Sequence, residues 1–538
     1  GKHSLSEKII MERSNIAPRG MVVTPHHLAT QSALDVLKEG GTAMEATVAA
    51  AATLAVVYPH MNSIGGDGFW LIVPPNDEPF VIEACGTAGR LATKEFYKGL
   101  DKIPRKGPKS AATVAGAVGG WQEALNYVTE SGYQKFSISK LLSDAIYYAE
   151  HGFPISTSLD SYLKENLNFE NNSGDFLEVF APNGESLNVG DVLRQPNLAK
   201  TLKHLSANGL SSFYKGNLAN LIAEESKAAG MPITIEDLNT HSTIRKTPLI
   251  LKHEFGDLYN LPPPTQGAIS LSILGILDRL RIKGDHEGKF IHATVEATKQ
   301  AFIIRDKYIT DPNEMKVDAQ NMIGPHNILE MAKNVDINIA SPIGKCKGPG
   351  DTIWMGVMDN KGFSVSYIQS VYHPFGSGVI LPKTGIIWQN RGVAFSLDEK
   401  SILCIKPGKK PFHTLNPAGA KLYDGRVMIY GTRGGDGQPQ TQAAIFHRYV
   451  VQGINLQKSV SMPRWVYGDT IQRGEDVLRL EDRFDKETVD YLRDRGHKIE
   501  TVEPFNEGMG HAGALVRHKN KMLEGAYDPR SDGSAAGF

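Results

Sequence analysis

Apolar positions recur at helical spacing from Leu28 to Leu37, and Gly40-Gly41 closes the run as a helix stop would. The spacing predicts a helix. Thr42 to Val57 follows at once, with Ala43, Ala46, Ala49 to Ala52 and Ala55 making it small on every side. That pattern predicts a second helix packed closely inside a core and ending near Pro59. Ser63-Ile-Gly-Gly-Asp-Gly-Phe-Trp70 breaks the helical period and leads into a strand through Val73, with residues 80–83 as its neighbour. Further helices are expected over residues 141–151 (capped by Ser137 or Ser139 and closed by Gly152), 198–208, 218–229, 269–283 and 292–308. Pro262-Pro-Pro-Thr-Gln-Gly267 marks a rigid turn, and residues 333–350 read as a polar, Gly/Pro-rich linker. Beyond it the character of the chain changes. Strands are expected over 354–358 and 364–371, around the turn Asp359-Asn-Lys-Gly362, and again over 385–388 and 427–430. Gly431-Thr-Arg-Gly-Gly-Asp436 then turns the chain into a helix over 441–451. Helices first and strands later fit an α/β chain with two sheets between helix layers.

Composition narrows the ligand more than the fold. The 538 residues include 41% hydrophobic and 22% charged positions and 54 glycines, as in an ordinary soluble globular protein, so core burial is not limiting. A formal net charge of −1 gives no electrostatic reason for nucleic acid or an anionic membrane as partner, so a small molecule is expected. Cys85, Cys346 and Cys404 show no Cys-x-x-Cys spacing, which indicates neither a disulfide framework nor a thiolate zinc site. His26 and His27 are adjacent and would point to opposite faces of a strand, so no metal is expected, and no other cofactor signature appears. Gly65-Gly-Asp-Gly68 lacks the dinucleotide fingerprint, and Gly434-Gly435 is not followed by the Lys-Ser/Thr of a phosphate loop. With no apolar leader and no run of membrane-spanning length, the expected location is cytoplasmic.

The chemistry centres on Gly348-Pro-Gly-Asp-Thr352-Ile-Trp-Met-Gly-Val-Met-Asp359, where a Gly/Pro segment runs straight into a strand headed by threonine. A threonine hydroxyl needs a base. Cleavage between Asp351 and Thr352 would free an α-amine on the same residue to serve as that base. A loop entering a strand, with Thr as an ordinary β-former, accounts for the same twelve residues.

Matches in order along the chain decide between these readings. They are Gly20-Met-Val-Val23, Leu37-Lys-Glu-Gly-Gly41, Asn62-Ser-Ile-Gly-Gly-Asp-Gly-Phe69, Ala149-Glu-His-Gly-Phe-Pro154 and Pro262-Pro-Pro-Thr-Gln-Gly267. They continue through Arg305-Asp-Lys-Tyr308, Asp311-Pro312, Thr352 with Asp359, Phe375-Gly-Ser-Gly378, Arg433-Gly-Gly435 and Asp528-Pro-Arg-Ser-Asp532. In this order the chain resembles the γ-glutamyltransferase family of N-terminal-nucleophile hydrolases. The resemblance implies a four-layer αββα sandwich, made as a precursor that cleaves itself into a large subunit 1–351 and a small subunit 352–538. A further homo-oligomer is left open. It also implies that the Thr352 hydroxyl attacks an amide carbonyl with its own α-amine as base. Ser370 would orient the nucleophile, and Gly434 and Gly435 would form the oxyanion hole.

The departures bear on the substrate. Where family members that act on γ-glutamyl compounds place a carboxylate-binding arginine, this chain has Cys85. Ala394 replaces the aspartate that holds the α-amino group, His413-Thr414 a serine pair, and Tyr372 an asparagine. A site lacking both opposite charges should reject a zwitterionic γ-glutamyl head by roughly several kcal/mol. Arg391, and Arg433 before the glycine pair, are the arginines placed to grip a carboxylate instead, with Arg90 a surface alternative. Tyr372, His413 and Thr414 complete the candidate substrate contacts. The reading is a small anionic amide, as in branches that include oxamate amidohydrolase and enzymes labelled cephalosporin acylases. Alternatives are γ-glutamyl transfer or glutathione hydrolysis, a cephalosporin-type acylase, an uncleaved scaffold, and a serine acyl enzyme built on Ser137-Ile-Ser-Lys140 with Lys383-Thr-Gly385.

Overall fold

The computed structural model describes residues 13–133, 136–167, 174–342, 351–433, 435–468 and 475–538. Cys346, Gly434 and residues 343–350 of the expected linker lie outside them. Two seven-stranded antiparallel sheets form the centre. The first runs in the order Ser534–Gly537, Gly20–Thr24, Asp351–Asp359, Ser364–Tyr372, Asp67–Val73, Phe80–Ala84, Ile244–Lys246. The second runs Asn15–Ala17, Leu523–Tyr527, Ala512–Arg517, Val427–Thr432, Ala418–Leu422, Gly256–Asn260, Leu249–His253.

Alternation along the strands builds the layers. Ile353, Met355 and Val357 face the helices of the N-terminal half, while Trp354 and Met358 point the other way, toward Ile429 and Leu515 of the second sheet. Met428, Tyr430, Ala514 and Val516 face a second helix layer that includes Gly267–Arg279, Glu287–Tyr308 and Gly437–Phe446. The chain is therefore an αββα sandwich. Both sheets combine strands from before and after residue 352, and Asp351–Asp359 is paired on both edges.

The expected helix after Gly41 forms over Ala43–Val57, buried along its whole length and started by a reciprocal cap between Thr42 and Glu45. The hairpin around residues 359–362 forms with strands slightly longer than the apolar alternation marks. Three expectations change. Residues 385–388 make only isolated bridges, because Gly385 takes a left-handed φ of 69° that interrupts an extended run. The helix expected over 141–151 splits into Ile138–Leu141 and Ser143–His151, where the Ser143 hydroxyl donates to the Lys140 carbonyl. The histidine pair is not on a strand: His26 caps the helix His27–Lys38, its Nδ1 accepting from the Leu28 amide. Among the described residues no helix is long and apolar enough to cross a membrane.

The C-terminal strands are tied down by a buried ion cluster. Arg464 donates to Asp528 at 2.8 Å, and Arg530 bonds both Asp528 at 3.1 Å and Glu481 at 2.9 Å. Although burial opposes it, the two guanidinium groups hold the Asp528 carboxyl well below the usual carboxylate range. Asp528→Asn leaves two buried cations short of their partner, and a loss of about 3–5 kcal/mol is expected, read as a lowered denaturation midpoint.

Candidate active site

Antiparallel register brings the site together at one end of the first sheet. Asp351 stands opposite Tyr372 at the start of its strand, Ile353 opposite Gln369, with an irregularity between them at Thr352. Ser370 in turn stands opposite Asp67, the first residue of its own strand. Thr352 and Ser370 are buried, and the Thr352 hydroxyl donates to the Gln369 carbonyl at 2.7 Å. That carbonyl is held firmly. The Gln369 side chain donates to Asn62 and to the Ala51 carbonyl, and accepts from Trp121 and Tyr367.

The approach of Asp67 depends on two glycines. A Cβ on Gly66 would lie 2.1 Å from the Ser370 carbonyl oxygen, and one on Gly65 would lie 2.2 Å from that of Ile387, so no larger residue passes between those backbones. The Ser370 hydroxyl accepts from the Tyr372 amide at 2.8 Å, and Tyr372 holds a left-handed φ of 80°. Such a conformation in a non-glycine residue costs about 1–3 kcal/mol and persists where surrounding structure imposes it.

Tyr372 stacks on Arg391, whose guanidinium carbon is 3.8 Å from the ring centre. Arg391 is buried, and its Nε and Nη1 have no hydrogen-bond partner among the described residues. Beside it both ring nitrogens of His413 are unmet, and the Gln389 amide lies against the Asp67 carboxyl without a well-formed hydrogen bond. The His413 Nε2 is 4.0 Å from an Asp67 carboxylate oxygen. Burial, Arg391 and Lys410 all disfavour protonation of His413, which is therefore neutral. Burial also lowers Arg391 to about 10, only partly offset by Tyr372 and Asp67, so it stays charged at neutral pH. Burial raises the Asp67 carboxyl to about 7, against the pull of Arg391 and the amides of Gly116 and Gly86. These residues form a buried polar cluster around the Arg391 cation, with several polar atoms left unpartnered among the described residues.

Beyond the strand Val427–Thr432, Gly435 has a φ of 43°, its carbonyl accepts from Gln266 Nε2 at 2.9 Å, and the helix Gly437–Phe446 follows. Asp436 is held by Arg305 at 2.6 Å, and both lie close enough for the Tyr372 phenol to feel their charges. Thr414 is buried beside His413, and its carbonyl also meets Gln266.

The other expected residues are placed elsewhere or serve otherwise. The guanidinium of Arg433 turns toward Tyr162, at 2.9 Å, and the Glu507 carbonyl. Arg90 is exposed and pairs with Asp237. Cys85 is buried near Asp67, with its thiol pushed up by burial and by Glu83, while Ala394 packs at the edge of the second helix layer's core. Ser137 caps its short helix and Lys140 reaches Glu39, so the lysine is not directed at that serine. Asp67 and Gln389 were not singled out from the sequence. Their signals, an aspartate among glycines and a glutamine two residues before an arginine, acquire meaning only through strand pairing.

One group of possible metal ligands, His292, Glu296 and His497, lies outside this pocket. There the two histidines share a 2.7 Å hydrogen bond, and Lys299 sits 2.8 Å from the Glu296 carboxylate, filling the cation's place with a side chain. A surface groove of about 910 Å³ beside Tyr308 and Met331 shares no residue with the Thr352 cluster.

The gamma-glutamyltranspeptidase family model matches residues 29–538. The chain is 54% identical to an oxamate amidohydrolase proenzyme of Klebsiella pneumoniae, over 98% of this chain and 100% of that one. It is 36% identical to a glutathione hydrolase-like proenzyme of Bacillus subtilis, over 98% and 100%. Among solved structures, a cephalosporin acylase from Bacillus halodurans superposes with a TM-score of 0.89 at 30% identity, over 98% of this chain and 97% of that one.

Proposed function

Because the chain belongs to the gamma-glutamyltranspeptidase family, we propose that it is a self-processing amidohydrolase whose Thr352 cleaves a small amide bearing a carboxylate on its acyl side. Cleavage between Asp351 and Thr352 yields subunits 1–351 and 352–538. The strands of each remain interleaved in both sheets, which explains how the cut pieces stay together. The freed α-amine takes the Thr352 hydroxyl proton as Oγ attacks the amide carbon. The oxyanion is met by the amides at Gly435 and at Gly434, the latter outside the described residues. Collapse expels ammonia or an amine, and water then hydrolyses the ester to free the acid and regenerate Thr352.

One observation carries the choice of substrate: Arg391 is a buried cation with two unpartnered N–H groups in the pocket beside the end of the Thr352 strand. A fork of this kind fits a carboxylate. Tyr372 fixes its plane, His413 and Thr414 close the pocket, and Arg433, engaged with Tyr162 and Glu507, supports the loop that leads to the glycine pair. The name of the Klebsiella relative points to oxamate, whose carboxylate adjoins the amide carbon.

Steady-state assays with oxamate, a β-lactam side-chain amide and a γ-glutamyl anilide test this reading. Oxamate is expected to exceed the γ-glutamyl compound by about 100-fold or more in kcat/KM, since a polar head without its partners is rejected on that scale. Faster γ-glutamyl turnover would overturn it. Ser370→Ala is expected to lower kcat by about 100-fold with little change in KM, as loss of a positioned hydroxyl at the nucleophile would.

A further inference from the structure

We propose that Asp67 binds substrate as a neutral carboxylic acid, donating a hydrogen bond to the carboxylate that Arg391 grips, so that the pocket takes up an anion together with one proton. The inference rests on the carboxylate reading of Arg391 and goes beyond it by making a second, acidic residue part of anion recognition.

The geometry points this way. Asp67 is buried at the head of its strand, opposite Ser370. Its Oδ1 accepts from the Gly116 amide at 3.2 Å, and the Gly86 amide also contacts the carboxyl. Its Oδ2 lies on the side of His413, whose Nε2 at 4.0 Å is beyond hydrogen-bond range. Arg391 makes no ion pair with Asp67 within 4.0 Å among the described residues, and its unpartnered N–H groups are left for another acceptor. The polar side chains meeting Asp67 from the surrounding elements are Arg391, Gln389, His413, Cys85, Tyr214 and Tyr367. Burial keeps the thiol and both phenols protonated and the imidazole neutral. Among the described side chains the charge at neutral pH is thus set by Arg391 and Asp67, and processing adds the Thr352 α-amine, which titrates at about pH 8. With Asp67 ionised the pair is neutral and an incoming carboxylate faces a like charge. With Asp67 protonated the pocket is cationic and offers the anion an extra donor. Near neutrality the empty pocket populates both forms, and an anion on Arg391 removes the charge that favours ionised Asp67.

Calorimetric titration of the processed enzyme with pyruvate tests the proposal. Pyruvate keeps a carboxylate beside a carbonyl but has no amide to cleave. Comparing HEPES with Tris at pH 8, whose protonation heats differ, counts the protons bound. The wild type is expected to take up close to one proton per pyruvate, with affinity falling roughly tenfold per pH unit above 7. Asp67→Asn, whose amide is a permanent donor, is expected to bind at pH 8 without proton uptake and with no such pH slope. Proton-free binding by the wild type, or equal uptake by the variant, would overturn the role of Asp67. If the variant does not fold, the infrared difference spectrum of the wild type decides: pyruvate is expected to raise a protonated-carboxyl band at the expense of a carboxylate band, which the Thr352 amine cannot produce, and its absence would overturn the role of Asp67. No binding even at pH 6 would instead overturn the carboxylate reading of Arg391, and this inference with it.

Discussion

Arg391→Gln is expected to lower kcat/KM for oxamate by about 1,000-fold, the scale of removing one partner from a buried charge pair. The substitution removes the buried guanidinium whose unpartnered N–H groups would grip a carboxylate, while glutamine keeps much of the volume packed against Tyr372. Arg391→Lys should not restore activity, because an ammonium supplies neither the fork nor the stacked plane. Both variants should still split, since Arg391 contacts the substrate pocket and not the Asp351–Thr352 bond. A variant that folds, splits and turns over oxamate normally would remove the basis for an anionic acyl group.

Thr352→Ala carries the second large effect. On the proposed mechanism it takes away the one hydroxyl that both cuts the chain and attacks substrate, so the product should be a single uncut chain with activity at least about 10,000-fold lower. Thr352→Ser retains both an oxygen nucleophile and, after cutting, an α-amine, and should split and turn over slowly. The Thr352 hydroxyl is buried and engaged by the Gln369 carbonyl, so the alanine variant loses one hydrogen bond and little packing. Its inactivity can therefore be assigned to chemistry once a thermal melt shows a folded chain.

Much of this architecture was legible in the chain because strands of the first sheet are short apolar, aromatic and β-branched runs bounded by turn residues. Ile353 to Met358 is apolar on both its helix-facing and its sheet-facing positions, and the alanine-rich character of Ala43–Val57 announced a helix buried on every side. The second sheet was much less visible. Leu249–His253, Gly256–Asn260, Ala418–Leu422 and Ala512–Arg517 are short strands rich in glycine, alanine or polar residues, whose extended shape is imposed by neighbours more than by local preference. The same division holds at the site. Thr352, Ser370 and Arg391 were reached through a resemblance in sequence order, and register then placed Ser370 opposite Asp67. Asp67 and Gln389 were not reached, because a glycine-rich turn and a lone glutamine say nothing about the pocket they face. Arg433 shows the converse: its position beside the glycine pair suggested a substrate contact, but the direction of its guanidinium, toward Tyr162 and Glu507, is a property of packing that linear order does not contain.

The central claim is that Thr352 becomes an N-terminal residue and carries the acyl group of a carboxylate-bearing amide. Rapid-quench mass spectrometry of the purified enzyme mixed with oxamate tests both halves together. The account expects two polypeptides cut between Asp351 and Thr352, and a transient oxalyl mass on the first residue of the smaller one. A fully active single chain of 538 residues, or an acyl group found on another residue such as Ser137, would contradict it.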